Sequence, residues 1–113
     1  MLEEPFQLPS IPAAEALARA RDGATLIDLR KTPAVVASGH HIAGALIRDP
    51  YAFGHDDPLT GAVGPLITFC VHGHEVSQFA CALLMLHGRD VCYVSGGYEA
   101  LVAAGAVLEE IRP

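Results

Sequence analysis

The segment "TFCVHGHEVSQFACALL", Thr68 to Leu84, sets a cysteine between a β-branched, aromatic run and an apolar helical pattern. Cys70 therefore stands where a strand stops and a helix begins. The thiolate is the reactive form of cysteine, and a helix N-terminus favours it by offering partial positive charge. The connecting residues include Gly73, which admits backbone conformations that let successive N–H groups converge on one point. Such a nest, with a helix dipole behind it, holds an anion, and the first anion within reach is Cys70 itself. The pattern predicts a nucleophilic Cys70 with a lowered pKa. It also predicts an anion-binding loop formed by Val71, His72, Gly73, His74, Glu75, Val76 and Ser77. On position alone, a thiol that only packs at the end of a buried strand remains the alternative.

The other two cysteines have no such setting. Cys81 falls inside the helical pattern and Cys92 inside a strand-like run, so both read as packing. The N-terminal "MLEEPFQLPSIPAAEALARA" is acidic where a signal peptide needs positive charge, and prolines interrupt its apolar residues. The expectation is a cytoplasmic chain whose thiols stay reduced, not a disulfide scaffold. The cysteines lack the close pairing of zinc sites, and no metal or cofactor is expected.

These groups need elements to position them. "IPAAEALARARDGA" reads as a helix with Ser10 as cap, Pro12 at the first helical position and Gly23 at its end. "TLIDLR" is a nearly continuous apolar run, the mark of a strand covered on both faces. "TPAVVASG" reads as a short helix with a Thr32 cap and a stopping glycine, followed by a second strand around Ala45 to Ile47. Residues 48–65, rich in Gly, Pro and Asp, read as a long surface loop. "PLITFC" is the third strand and "EVSQFACALLMLHG" a helix whose apolar positions, among them Val76, Phe79, Ala80, Leu83, Leu84 and Leu86, follow the 3.6 period. "DVCYV" and "GYEALVAAGA" supply a fourth strand and a last helix. Strands alternating with helices predict an α/β fold with an open, mainly parallel sheet, and 113 residues suit one domain, 1–113. In such sheets ligands collect beyond the carboxyl ends of the strands, where Cys70 lies.

Charge excludes some partners. A net charge of −6 without a basic stretch argues against nucleic acid, whose phosphates need a surplus of Lys and Arg. No run of about 18 apolar residues exists to span a membrane.

Four pieces in order give the chain a resemblance to the rhodanese-like (sulfurtransferase) family in its single-domain form, across about residues 10 to 110: "LIDLR", "GHHIAGA", "CVHGHEVS" and "VSGGYEALVAAG". The resemblance implies the rhodanese-like fold, an open, mainly parallel sheet flanked by helices on both faces. It also implies that Cys70 takes the outer sulfur of a small donor such as thiosulfate, rests as a persulfide, and passes the sulfur to cyanide, a thiol or a protein acceptor. That is covalent, ping-pong catalysis. Amides of the Val71–Ser77 loop would stabilise the charged species.

The chain departs from the family at several positions. Glu75 stands where the family often has a basic residue, and it sets a negative charge at the mouth of an anion pocket; His72 and His74 could offset it. The loop is one residue longer than in most sulfurtransferases, as in the related phosphatase and arsenate-reductase branches, yet it has no arginine for an oxyanion. The family glutamate before Gly39, with which the resemblance would pair Arg30, is absent, leaving Arg30 either free or matched to another carboxylate. Asp28 ends a buried strand and must be hydrogen-bonded or paired; bracing of the active-site loop, through its backbone or Ser77, is the preferred role, with a general base as the alternative. Gly96 and Gly97 read as a tight strand-to-helix turn. A non-enzymatic sensor or binding module, and an oxyanion-related protein of the chromate or arsenate type, are the alternatives to sulfur transfer.

Overall fold

The computed structural model describes residues 8–73 and 75–111. Its centre is made by the two most apolar runs. Thr25–Asp28 (β2) and Leu66–Phe69 (β5) bury nearly every side chain, as parallel strands covered on both faces must. They pair in parallel with Asp28 opposite Phe69, and the Leu29 amide extends the ladder to the Phe69 carbonyl at 2.8 Å. Leu29 and Cys70 therefore leave the sheet side by side at its carboxyl end, with Arg30 next after Leu29.

Three further strands complete this sheet. Val91–Val94 (β6) flanks β5, Ser10–Ile11 (β1) flanks β6, and Leu46–Ile47 (β4) flanks β2, giving the order β1-β6-β5-β2-β4 with every pairing parallel. Alternating side chains feed two cores. On one face Leu26, Ile67, Phe69, Cys92 and Val94 pack with Ala13, Ala16 and Leu101 from helices Ala13–Arg21 (α1) and Gly97–Ala103 (α4). On the other, Ile27, Leu66 and Val91 meet Ala80, Cys81, Leu83 and Leu84 of helix Glu75–Leu86 (α3). The α/β architecture, with a mainly parallel sheet between helices, is the one expected from the pattern.

Several local expectations are corrected. Ser10 does not cap α1: it lies in β1, paired with Tyr93, and Pro12 is the capping residue. Helix Thr32–Ser38 (α2) is capped by Lys31, not Thr32, and ends on Gly39 in the left-handed conformation. Strands His40–Ile42 (β3) and Leu108–Glu110 (β7), unforeseen in the pattern, form a separate antiparallel pair. The long loop contains a 3-10 turn at Pro58–Gly61, capped by the Asp57 carboxylate. Helix α3 covers less than its periodicity implied, because Phe79 and Leu86 are exposed. The buried stripe is instead Ser77, Ala80, Cys81, Leu83 and Leu84. Among the described residues no helix is long and apolar enough to cross a membrane.

Candidate active site

Cys70 follows β5 directly and is held by backbone on both sides. Its carbonyl accepts from the Tyr98 amide at 2.7 Å, and the Val71 carbonyl from the Glu99 amide at 3.4 Å, so the first turn of α4 grips the start of the loop. The contact is close because both surfaces lack side chains. A Cβ on Gly73 would come within 2.6 Å of the Val94 carbonyl and 2.8 Å of the Gly96 amide. Gly73 and Gly97 also have φ of 75° and 60°, in the left-handed region that favours glycine. The Gln78 side chain pins the other end of the loop by donating to the Gly73 carbonyl at 3.1 Å.

The thiol itself faces two environments. Behind it, Cys70 Sγ lies 3.2 Å from Ser77 Oγ, on the first turns of α3. Ser77 is fully buried, and its carbonyl accepts from the Thr68 hydroxyl at 2.9 Å, which fixes this stretch of α3 against β5. In front, Cys70 borders a cavity of about 180 Å³ together with Leu29, Arg30, Lys31, Ala34, Val71, His72, Glu75 and Val76. Cys70 itself is buried, with 7% of its surface exposed. Of the other thiols, Cys81 is fully buried and Cys92, also 7% exposed, does not border this cavity. Burial, and then the neighbouring Cys92, push the Cys81 thiol up to about 12. Burial also raises Cys92, against the lowering influence of Arg19.

Of the loop residues expected at the site, Val71, His72, Glu75 and Val76 line the cavity. Ser77 sits behind the sulfur, and Gly73 is buried against the β6–α4 turn without lining the cavity. His74 lies outside the described residues. His72 Nδ1 meets Glu99 Oε2 at 2.5 Å in an exposed pair. Glu75 opens α3, where its charge suits the helix dipole, and borders the cavity mouth.

Among the described residues the Asp28 carboxylate is bonded to Arg30 and not to the loop. It accepts from the Arg30 backbone amide at 3.0 Å and from Arg30 Nη2 at 2.8 Å, with Nε at 3.1 Å from both oxygens. The reason is proximity in a strand end: two residues apart, the pair closes on itself and satisfies a carboxylate that is 1% exposed. The same guanidinium donates to Ser38 Oγ and the His40 carbonyl, both at 3.0 Å, and lies 3.9 Å over the Tyr98 ring. Arg30 thus ties the ends of β2 and α2, the start of β3 and the first turn of α4 into the floor of the site. Tyr98 belongs to the "VSGGYEALVAAG" piece that carries the resemblance, whereas Ser38, Lys31 and Ala34 carry no signal of a site by residue type or motif. Only the adjacency of Lys31 to Arg30 could have pointed to any of them. Among the described residues no group of three or more His, Cys, Asp or Glu side chains is placed to hold a metal ion.

Comparison with known proteins places this geometry. The sequence profile of the rhodanese-like domain matches residues 12–104. The chain is 34% identical over 90 residues to the thiosulfate sulfurtransferase GlpE of Pseudomonas fluorescens (strain SBW25), covering 79% of this chain and 80% of that protein. Among solved structures it is similar to a rhodanese-related protein from Thermoplasma volcanium, with TM-score 0.71, 20% identity, and 89% and 97% of the two chains covered. It is also similar to a thiosulfate sulfurtransferase from Pseudomonas aeruginosa, with TM-score 0.73 and 22% identity over 97% of this chain but 21% of that one.

Proposed function

The chain belongs to the rhodanese-like domain family, and from that premise we propose that it is a sulfurtransferase in which Cys70 carries a sulfane sulfur from a donor such as thiosulfate to a thiol or cyanide. The observation that carries the reading is the setting of Cys70. The sulfur faces a cavity at the carboxyl end of the sheet, while the Ser77 hydroxyl stands 3.2 Å behind it.

In the first half-reaction the Cys70 thiolate attacks the outer sulfur of thiosulfate. The Cys70–sulfur bond forms, the sulfur–sulfur bond of the donor breaks, and its electron pair leaves with sulfite. In the second, cyanide or a thiolate attacks the outer sulfur of the persulfide and the electron pair returns to Cys70. Charge is conserved in each half, so the protein's task is to hold anionic sulfur in one place. The Ser77 hydroxyl can donate to the thiolate, and Gly73 and Gly97 let the loop seat against α4 without strain from side chains. Arg30 acts as a positioning residue, because its guanidinium is engaged by Asp28, Ser38 and His40.

Intact mass after incubation with thiosulfate tests the proposal. The wild-type chain gains one sulfur atom, cyanide removes it as thiocyanate, and Cys70→Ser gains none. A wild-type chain that stays unmodified while Cys70 alkylates normally would overturn it, and would favour a sensor or binding module on the same fold.

A further inference from the structure

Away from Cys70, two histidines meet at the surface. His55 in the long loop and His87, the residue after α3, stand 32 positions apart in sequence, yet His55 Nδ1 lies 2.9 Å from His87 Nε2. The rings are tilted by 49°, with centroids 5.1 Å apart. The backbone under each ring is held by other contacts. The His87 amide donates to the Leu84 carbonyl at 3.1 Å, and the Arg89 side chain spans from the His87 carbonyl at 3.0 Å to the Ala62 carbonyl at 2.9 Å. On the loop side, Phe53 and Leu59 are buried in the same core as Leu83 and Leu84, and the Thr60 hydroxyl reaches the His55 carbonyl at 3.3 Å. The two imidazoles are thus brought together by contacts made elsewhere, which lowers the ordering cost of a ligand that needs both.

Imidazole nitrogen is a ligand for copper, nickel and zinc, and two such nitrogens aimed at one ion bind it as a chelate. With metal–nitrogen bonds of roughly 2.0 to 2.1 Å, a right angle at the ion sets the nitrogens about 2.9 Å apart, and a tetrahedral angle sets them about 3.3 Å apart. The observed 2.9 Å fits the right angle, which belongs to the tetragonal geometry of Cu2+ and Ni2+ and not to four-coordinate zinc. We propose that His55 and His87 form a surface site for a divalent copper or nickel ion, ligated through Nδ1 of the first and Nε2 of the second. Among the described residues no group of three or more His, Cys, Asp or Glu side chains is placed to hold a metal, so water completes the coordination. Each ring must present a lone pair. The ring that donates in the hydrogen bond therefore shifts its proton to its other nitrogen, and no net proton is released. The bound ion pins the long loop to the end of α3, about 18 Å along this 12-residue helix from the turn that faces Cys70.

Equilibrium dialysis of the purified chain against Ni2+ alone, at neutral pH, tests the site. The wild-type chain is expected to retain one Ni2+ and to hold Zn2+ more weakly. His55→Gln and His87→Gln each weaken Ni2+ binding by about a hundredfold, since either change breaks the chelate, whereas Cys70→Ser retains the ion as wild type does. His55 is exposed and His87 half-buried, so the metal-free urea midpoints of both variants stay near wild type. Ni2+ raises the midpoint of the wild-type chain and not that of either histidine variant, because only the folded chain brings the two rings together. If the wild-type chain retains no Ni2+, if either histidine variant retains it as wild type does, or if Cys70→Ser loses it, the inference falls and the two rings share a hydrogen bond only. Zn2+ held as tightly as Ni2+ would overturn the right-angled geometry.

Discussion

A Cβ on Gly97 would stand 2.6 Å from the amide nitrogen of Gly73, and closer still to the Cys70 carbonyl oxygen. Two turns separated by more than twenty residues thus meet backbone to backbone, and the cysteine loop takes its shape from that contact. Neither atom can retreat as a flexible side chain could.

Gly97→Ala should therefore be severe. The added methyl must displace the loop or α4 and is also held at φ 60°, so a loss of more than about 2 kcal/mol is expected, with slower sulfur loading of Cys70. Gly39→Ala is the control, because Gly39 has φ 72° but nothing within 4 Å of its Cβ position. It should cost about 1 kcal/mol, the left-handed penalty alone. Urea denaturation of the two variants reads the difference; equal losses would mean that the contact is not tight.

Removing Arg30 leaves the Asp28 carboxylate buried and unpaired. Arg30→Ala is expected to lose about 3 to 5 kcal/mol, and Arg30→Lys to recover only part, since one ammonium cannot reach Asp28, Ser38 and His40 at once. Denaturant midpoints measure both. A loss below about 1 kcal/mol in Arg30→Ala would show that water replaces the guanidinium at little cost.

Glu75→Gln tests the charge at the mouth. The substitution nearly keeps the side chain's shape, so the KM for thiosulfate should fall several-fold at low salt. The gain should shrink as salt rises, because an exposed carboxylate is screened. Steady-state kinetics at two ionic strengths decide it. An unchanged KM at low salt would leave Glu75 with only its service to the α3 dipole.

Cys81 makes stability depend on alkaline pH. Burial favours its neutral thiol, raising it from the ordinary 9.0 to about 12. Below about pH 9 the folded and unfolded chains both hold the proton, so this group makes its full contribution to stability and adds no pH dependence. Between pH 9 and about 12 the unfolded chain alone releases it, so stability falls by up to about 1.4 kcal/mol per pH unit. Urea unfolding at pH 8 to 10.5 should show the advantage of wild type over Cys81→Ala shrinking above pH 9. A constant difference would refute the assignment.

Much of this could be read from local pattern. The run of Leu66 to Phe69, the cysteine after it and the helix from Glu75 are adjacent in sequence, and each carries its own periodicity. What escaped depends on distant partners. Strands β1, β3 and β7 have two or three residues each, too few for any period to show. Asp28 needed a partner, as its burial implied, but the choice of Arg30 over the loop followed from how β2 ends. Phe79 fits the helical period as well as Leu83 does, yet nothing covers that flank of α3 among the described residues, so it faces solvent.

The grip of α4 on the loop also sets an order of events during synthesis. Cys70 is made before Gly96, Gly97 and the Tyr98 amide that donates to its carbonyl. Until those residues emerge, β5 lacks β6 on one side and the loop has nothing to seat against. A nascent chain therefore carries Cys70 without that support, and the loop is seated only when roughly the last fifth of the chain, from β6 onward, has emerged. Such non-local closure comes late and all at once, which makes the shaped cysteine a property of the completed fold and not of any fragment of it.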